Sequence, residues 1–515
     1  MTGAEILVKC LEKQAVKVIF GMPGSLTREI YSALYKSRDA IRHISVRHEG
    51  SASLMADGYA RVTGDVGVCL TVPGPGATNA YTGMLEGYTA CTPVLLITAQ
   101  NHSCYSQKDP SKMVHGLDQI TAFRPVTKCI RRVEAVEGIA EAVYDIFGVL
   151  RSGRPKPVLL EITRDALAGN ANQEIPDRND GIKLKPTDAQ IRQATDMLKK
   201  SMRPFILAGG GTYHSHASYE LLEFAKLIKS PVATTAMGKG IISESEPLSL
   251  GYIGSQVARN AMQESDLVIA IGTRFVQTDT DSWSLKILQP LIHIEADPNE
   301  INKEYMADVG IAGDAQLVLK EIIKVLKEQN LATCWGSKMD EFKMAIKSAR
   351  RPRYLQQLRE AMAQDAILSV DVHMAGYGAL PYFEVYEPGS FLHSPISNTM
   401  GCALPAAIGA KVAYPNRQVV TFCGDGGFML SSPELSTAMR YNINVVIVVI
   451  NDNSFGTIKD VQHRHFGRAF GVDLYNPDFL KFAEAFGAHG FRVREFDEFK
   501  QTLEKALTLD KPVLI

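Results

Sequence analysis

The sequence predicts an α/β protein built of three doubly wound parallel-sheet domains, and three observations carry that expectation. The chain has 515 residues, roughly three times the ~150 of a typical domain. Short, continuously apolar runs bounded by Pro, Gly or Asp recur along its whole length, as strands buried on both faces do. Helical patterns fill the intervals between them, which is the alternation of βαβ units.

Taken in order, the strand-like runs are PVLLITA (93–99), PVLLEIT (157–163), PFILAGG (204–210), LVIAIG (267–272), VVTFCGDG (419–426) and VVIVVIND (445–452). The helical patterns include ATNAYTGMLEGYTA, ASYELLEFAKLIK, AQLVLKEIIKVLKE and SSPELSTAMRYN. Two polar stretches rich in turn formers and charge, 168–186 and 328–342, read as linkers. The expected domains are therefore 1–168, 186–328 and 345–515. RPKPVLLEIT closes the first segment and DKPVLI the third. Similar endings suggest similar sheets, against the plainer reading that Pro followed by aliphatics is a common buried strand. The chain stops inside that last strand, so a C-terminal tail over the site is expected to lie beyond residue 515.

Composition excludes several classes. Lys plus Arg number 55 against 56 Asp plus Glu, a net charge of −1, which gives no support for nucleic-acid binding. The apolar fraction of 45% is that of an ordinary globular protein. No run approaches the ~20 apolar residues of a membrane helix, and the N-terminus lacks the apolar stretch of a signal peptide. The eight cysteines include no C-x-x-C pair, so zinc finds no support, and buried free thiols in a cytoplasmic protein are expected.

Gly424-Asp425-Gly426-Gly427 follows an apolar strand directly, where a Gly-rich turn lets main-chain amides approach a phosphate. One βα unit later comes Asn451-Asp452-Asn453-Ser454-Phe455-Gly456-Thr457, again at a strand end. Parallel strands end on one edge of a sheet, so Asp425 and Asp452 should converge into a hard oxygen site of the kind Mg²⁺ prefers. Alone, Gly-Asp-Gly is most often a turn. In this context the pair of loops resembles the cofactor motif of thiamine diphosphate-dependent enzymes. The resemblance implies that Asp425, the Asp452 side chain and the Ser454 carbonyl hold Mg²⁺ against the cofactor's diphosphate. Asp452 departs from the Asn usual there, which bears on metal affinity.

In the first segment, Glu49 stands between a strand and a helix. A carboxylate favours a helix N-terminus in any case, but R-H-E followed by M-A-D-G-Y-A-R is similar to the segment that supplies this family's catalytic glutamate. By that resemblance Glu49 contacts the aminopyrimidine ring. Further matches follow in family order. Gly21-Met22-Pro23-Gly24-Ser25 resembles the loop beside the substrate, and Gly74-Pro75-Gly76-Ala77-Thr78-Asn79 the loop under the pyrimidine. Asn398-Thr399-Met400-Gly401 looks like the element whose apolar residue, here Met400, bends the cofactor. Val372, His373 and Met374 fall where the family closes over the diphosphate, with a structural histidine an equal reading of His373. The resemblance covers nearly the whole chain and implies pyrimidine-binding, central and diphosphate-binding domains. It also implies a homodimer or homotetramer whose sites lie between subunits.

Among these enzymes the chain is most similar to acetolactate synthase, through Arg124-Pro125-Val126-Thr127-Lys128, the 74–79 loop, and Asn302-Lys303 after His293-Ile294-Glu295. Where that enzyme carries an arginine for the second keto acid, this chain has Thr278, so a bidentate clamp is missing. Ser25 resembles the choice of benzoylformate decarboxylase, and Gly116-Leu117-Asp118-Gln119 that of benzaldehyde lyase. The expectation is a carboligase on 2-keto acids or hydroxyketones, with an aldehyde acceptor at least as well suited as a second keto acid. A 2-keto acid decarboxylase, a benzaldehyde-type lyase and a non-catalytic cofactor-binding homologue are the alternatives. His115 is the candidate polar pocket group, a solvent-facing loop residue being its rival reading. Gly209-Gly210-Gly211 and Glu295, each after a strand, leave FAD open in the middle segment, while the altered 276–278 run removes flavin contacts.

Overall fold

The structure, a computed structural model, describes residues 1–329 and 331–515. Its strands form three six-stranded sheets, every paired strand parallel to its neighbour. The first sheet holds β1 (Val18–Gly21), β2 (Arg42–Ser45), β3 (Gly67–Thr71), β4 (Val94–Gln100), β5 (Cys129–Val133) and β6 (Val158–Thr163). The second holds β7 (Pro204–Ala208), β8 (Val232–Thr234), β9 (Ser249–Tyr252), β10 (Leu267–Ile271), β11 (Leu291–Glu295) and β12 (Val309–Ala312). The third holds β13 (Ile367–Val370), β14 (Phe391–His393), β15 (Val419–Gly424), β16 (Val446–Ile450), β17 (His489–Gly490) and β18 (Val513–Leu514). Central strands are apolar and buried along their length, as at β4, β6 and β10, because helices cover both faces of each sheet.

The first and third sheets share one strand order, β2-β1-β3-β4-β6-β5 and β14-β13-β15-β16-β18-β17. The two similar sequence endings are thus the corresponding strands β6 and β18. The middle sheet runs β12-β11-β10-β7-β8-β9, the dinucleotide-fold order read from its far edge. Each order reverses direction between β1 and β3, between β7 and β10, and between β13 and β15, and the outer two sheets turn back once more at their β5 and β17 edges. Crevices open at such points beyond the strands' C-terminal ends.

The first and third domains pack on each other through the helices Glu49–Thr63 and Ala403–Ala413. A Cβ on Gly58 would stand 2.3 Å from the Ala406 carbonyl oxygen, and one on Gly409 would stand 2.0 Å from that of Met55. The glycines let the two backbones touch, and one apolar core runs from Phe20 and Leu96 of the first sheet to Cys423 and Ile447 of the third.

The second polar stretch is not all linker. Residues 338–348 form a helix, and Trp335 and Phe342 bury their rings in the middle domain's core with Phe205 and Leu291. The Trp335 indole N–H donates to the Pro204 carbonyl at 2.9 Å. Trp335 lies just ahead of the helix and Phe342 within it, and their rings meet edge-on with centroids 5.9 Å apart, a pairing obscured by the surrounding charge. Asn330, inside this stretch, lies outside the described residues. Cys10, Cys69, Cys402 and Cys423 are buried and unpaired as expected, whereas Cys104 and Cys334 are exposed. Among the described residues no helix is long and apolar enough to cross a membrane.

Candidate functional site

The first crevice gathers four of the segments singled out in the sequence. The β1 loop turns at Gly24, whose N–H donates to Thr27 Oγ1 at 3.2 Å. A Cβ on Gly24 would lie 2.3 Å from Val72, on the loop after β3. Pro23 and Ser25 are exposed on the same turn. Gly74 takes a φ of +62°, a region glycine enters readily, and Pro75 then opens the helix Pro75–Ala90. A Cβ on Gly76 would lie 3.2 Å from Glu49 Oε1. Asn79, one turn into that helix, donates its side-chain amide to Glu49 Oε2 at 2.9 Å. Glu49 begins the helix Glu49–Thr63, capped by His48 Nδ1 accepting the Gly50 N–H at 3.0 Å, and is buried. His115 is half-buried. Its Nδ1 lies 3.2 Å from the Pro73 carbonyl, and its own carbonyl is 2.7 Å from where a Gly74 Cβ would be. The histidine therefore lies against the Gly74 loop.

The third crevice opens between β13 and β15. Asp371, just past β13, is wholly buried and accepts main-chain N–H groups of Val372 at 2.7 Å, Gly401 at 3.0 Å and Ala403 at 3.2 Å. It thereby ties the strand end to the segment bearing Asn398 and Met400. Asn398 is exposed with a φ of +48° and Met400 is half-buried. Val372 is half-buried and Met374 exposed. His373 stands edge-on to Phe422, ring centroids 4.8 Å apart. Burial pushes its pKa down to about 4, so it is neutral near pH 7 and would meet a phosphate as a hydrogen-bonding group, not as a cation.

A short helix, Asp425–Ser431, begins at the β15 end, ahead of the SSPELSTAMRYN pattern, whose own helix is Glu434–Arg440. Asp425 is buried and accepts the Gly426 N–H at 2.9 Å. Asp452 caps the next turn by accepting the Ser454 N–H at 3.0 Å, and a Cβ on Gly456 would lie 2.4 Å from its other oxygen. Phe455 packs its ring over Gly426, and Thr457 lies in the first turn of the helix Gly456–Phe466. The structure brings the two loops together through a residue the sequence did not flag. Asn476 Nδ2 lies 2.6 Å from Asp425 Oδ2, 2.9 Å from Asn451 Oδ1 and 3.2 Å from Asn453 Oδ1. Three oxygens share two amide hydrogens. Burial raises the Asp425 pKa, and the charge of Asp452 adds to the effect. An all-oxygen cluster short of donors and rich in negative charge is the donor chemistry of a hard divalent cation. Among the described residues no three His, Cys, Asp or Glu side chains converge as a metal site. A cation here would thus take the rest of its ligands from main-chain carbonyls and an anionic ligand.

Asp371 and Asn476 were both hidden in the sequence. The signal for Asp371 was an acid ending an apolar strand with no turn to cap. Asn476 gave none, since the 453–455 and 472–474 segments meet only in the fold, through Phe455 N–H to the Val472 carbonyl and Leu474 N–H to the Asn453 carbonyl.

The middle crevice is a cavity of about 430 Å³. It is lined by Gly210 and Gly211 after β7, Gly272 and Thr273 after β10, and Arg154 of the first domain. Glu295, after β11, is paired with Arg154 at 3.0 Å. The Arg274 guanidinium donates to the Thr89 carbonyl. Thr278 is exposed, and its carbonyl accepts the Tyr252 hydroxyl at 3.1 Å.

Three parallel sheets with phosphate-loop turns in outer crevices and a dinucleotide-like middle define a class of cofactor-dependent α/β enzyme, and comparison with known proteins agrees. Residues 1–122 match the thiamine pyrophosphate enzyme N-terminal TPP binding domain, 191–322 the central domain, and 374–515 the C-terminal TPP binding domain. The chain belongs to the thiamine pyrophosphate (thiamine diphosphate) enzyme family. It is similar over its whole length to the probable acetolactate synthase large subunit of Methanocaldococcus jannaschii, 36% identical with 91% of that protein covered. The corresponding protein of Methanococcus aeolicus is 35% identical with 91% covered, and acetolactate synthase isozyme 2 large subunit of Escherichia coli is 33% identical with 95% covered, each across 100% of this chain.

Proposed function

We propose that this chain is an acetolactate synthase-like carboligase that joins a 2-keto acid donor to an aldehyde or a second keto acid, using thiamine diphosphate and Mg²⁺. The observation that carries the reading is the buried Glu49 carboxylate, oriented by Asn79 in the first crevice. When bound, the cofactor supplies an electron sink for cleavage beside the keto acid's carbonyl. Glu49 would hold the proton at the aminopyrimidine N1′. The Gly424, Gly426 and Gly427 turn, which lets a ligand approach the main chain closely, suits the diphosphate, with Mg²⁺ held by Asp425, Asp452 and the Ser454 carbonyl. Asn398 and Met400, with Val372 and the neutral His373, would flank the rest of the cofactor. Gly24, Ser25 and His115 would face the substrate.

The choice of acceptor rests on two residues. Thr278 presents no cation, and Arg274 is engaged by the Thr89 carbonyl. Neither offers a second carboxylate a bidentate partner, which favours an aldehyde. Tyr475, beside Asn476, is wholly exposed, and Phe466 and Phe470, on the segment before it, are 73% and 91% exposed. Uncovered aromatic surface of this kind supports a homodimer or larger assembly in which the first crevice of one subunit meets the third of another.

The test is incubation of purified protein, thiamine diphosphate and Mg²⁺ with pyruvate alone and with aldehydes, followed by product identification. A hydroxyketone is expected. Failure to release CO₂ from any 2-keto acid and to cleave or form any hydroxyketone would overturn the reading. The cavity beside Gly210 and Gly211 is where FAD would sit, but Glu295, the strand-end acid placed to meet a ribose, is already paired with Arg154. A colourless protein is the expected result, and a flavin absorption band would reverse that part.

A further inference from the structure

Glu86 lies two turns after Asn79 on the helix Pro75–Ala90 and is buried. Its Oε1 accepts the Arg61 guanidinium at 3.1 Å. Its Oε2 accepts three hydroxyls from the third domain, those of Ser394 at 2.6 Å, Thr399 at 2.8 Å and Ser397. Ser394 Oγ in turn accepts the Thr399 N–H at 2.8 Å. The 394–399 segment has no helix or strand of its own. It leads into Met400, and on the far side of Met400 the next anchors are the N–H groups of Gly401 and Ala403, held by Asp371. Met400 is therefore pinned between a carboxylate of its own domain and one from the first domain. A single charged oxygen serving three hydroxyls is a strong, costly arrangement in a buried place, more than a surface loop needs. Seven helical residues span about 10 Å, so one rigid rod carries both the residue that orients Glu49 and the residue that holds the Met400 segment.

We propose that Glu86 is a positioning residue for the thiamine cofactor. It acts through Ser394, Ser397 and Thr399 to place Met400, and Asn79 on the same helix places Glu49. The inference rests on the proposed cofactor role of Met400 and concerns only how that role is held in place.

The experiment is calorimetric titration of the whole protein with thiamine diphosphate at saturating Mg²⁺, alongside thermal melting of the apoprotein. The variants are Glu86→Gln and the double variant Ser397→Ala/Thr399→Val, which keeps the Glu86 to Arg61 pair. Each is expected to bind the cofactor about tenfold more weakly, the loss of one or two charge-assisted hydrogen bonds. Titration well below each apoprotein's melting temperature, where that variant is folded, separates positioning from mere folding. If Glu86→Gln does not fold, the double variant decides. Wild-type affinity in either folded variant overturns the inference. A wild-type protein that binds no thiamine diphosphate overturns the proposed function instead.

Discussion

Glu434, fully buried in the third domain, accepts the main-chain N–H of His48, the residue before Glu49, at 3.1 Å. The Arg47 N–H reaches the same carboxylate at 3.1 and 3.3 Å, and the Thr437 hydroxyl braces it at 2.6 Å. One domain thus holds the turn that presents the other domain's candidate catalytic carboxylate.

Truncating that anchor should disturb both stability and activity. Glu434→Ala takes the acceptor from two part-buried N–H groups, at a cost of about 1 kcal/mol, and lets the start of the helix Glu49–Thr63 shift. Glu434→Gln keeps one acceptor and should lose less. Denaturant melts and turnover measured on both variants check the order, and equal losses would contradict it.

Glu49→Gln should leave the fold intact, because the Gln carbonyl can still accept from Asn79. Turnover should fall by about a hundredfold or more, the usual scale for a lost proton-transfer group. Full activity in that variant would remove Glu49 from the chemistry. Asn79→Ala keeps the Glu49 carboxylate but removes the donor that orients it, so turnover should fall less than in Glu49→Gln.

Asp452 puts a second negative charge beside Asp425, whose pKa is raised first by burial and further by that charge. In Asp452→Asn the Asp425 pKa should fall, so the acid limb of the activity profile should move to lower pH. One fewer charged ligand should also raise the Mg²⁺ concentration for half-activity by about tenfold. A Mg²⁺ titration at fixed thiamine diphosphate measures it, and an unchanged midpoint would take Asp452 out of the metal's shell.

Much of this site was legible because its residues sit at strand ends. Apolar runs ending in Gly24, Gly74, His373 and Asp425 mark the loops that the strand order then brings into two crevices. Asp371, Asn476, Glu434 and Glu86 were not legible. Each acts on a partner between 23 and 387 residues away, and nothing local in a sequence reports such a pairing. The helix Lys338–Ser348 was missed for the opposite reason, its one buried aromatic, Phe342, lying inside a run of charge.

The Gly58 and Gly409 positions illustrate a motif with two meanings. M-A-D-G-Y-A-R was read for its neighbourhood to the cofactor, yet its glycine, with Gly409, is where two domains touch. Gly409→Ala would set a Cβ 2.0 Å from the Met55 carbonyl oxygen. Overpacking of this kind costs about 1–3 kcal/mol or more where backbone must move. A lowered melting temperature is expected, and a wild-type melt would show that the two helices separate easily.

The same interface buries two acids against one base. Arg61 pairs with Asp57 at 3.2 Å and Glu86 at 3.1 Å, all three nearly inaccessible. Burial pushes the Asp57 pKa up to about 6 in spite of Arg61, and the charge of Glu86 adds to the rise. The folded protein therefore holds a proton on Asp57 between the ordinary carboxylate value of 3.8 and about 6, where the unfolded chain has released it. Stability from this group is complete below the unfolded value and is lost as pH rises through the folded one. Asp57→Asn removes the titration while leaving the Arg61 to Glu86 pair. The wild-type protein should lose stability relative to Asp57→Asn as pH is raised from about 4 to about 7, and equilibrium unfolding at several pH values follows the difference. A difference that stays flat across that window would mean Asp57 is ionised throughout and Arg61 alone sets its state.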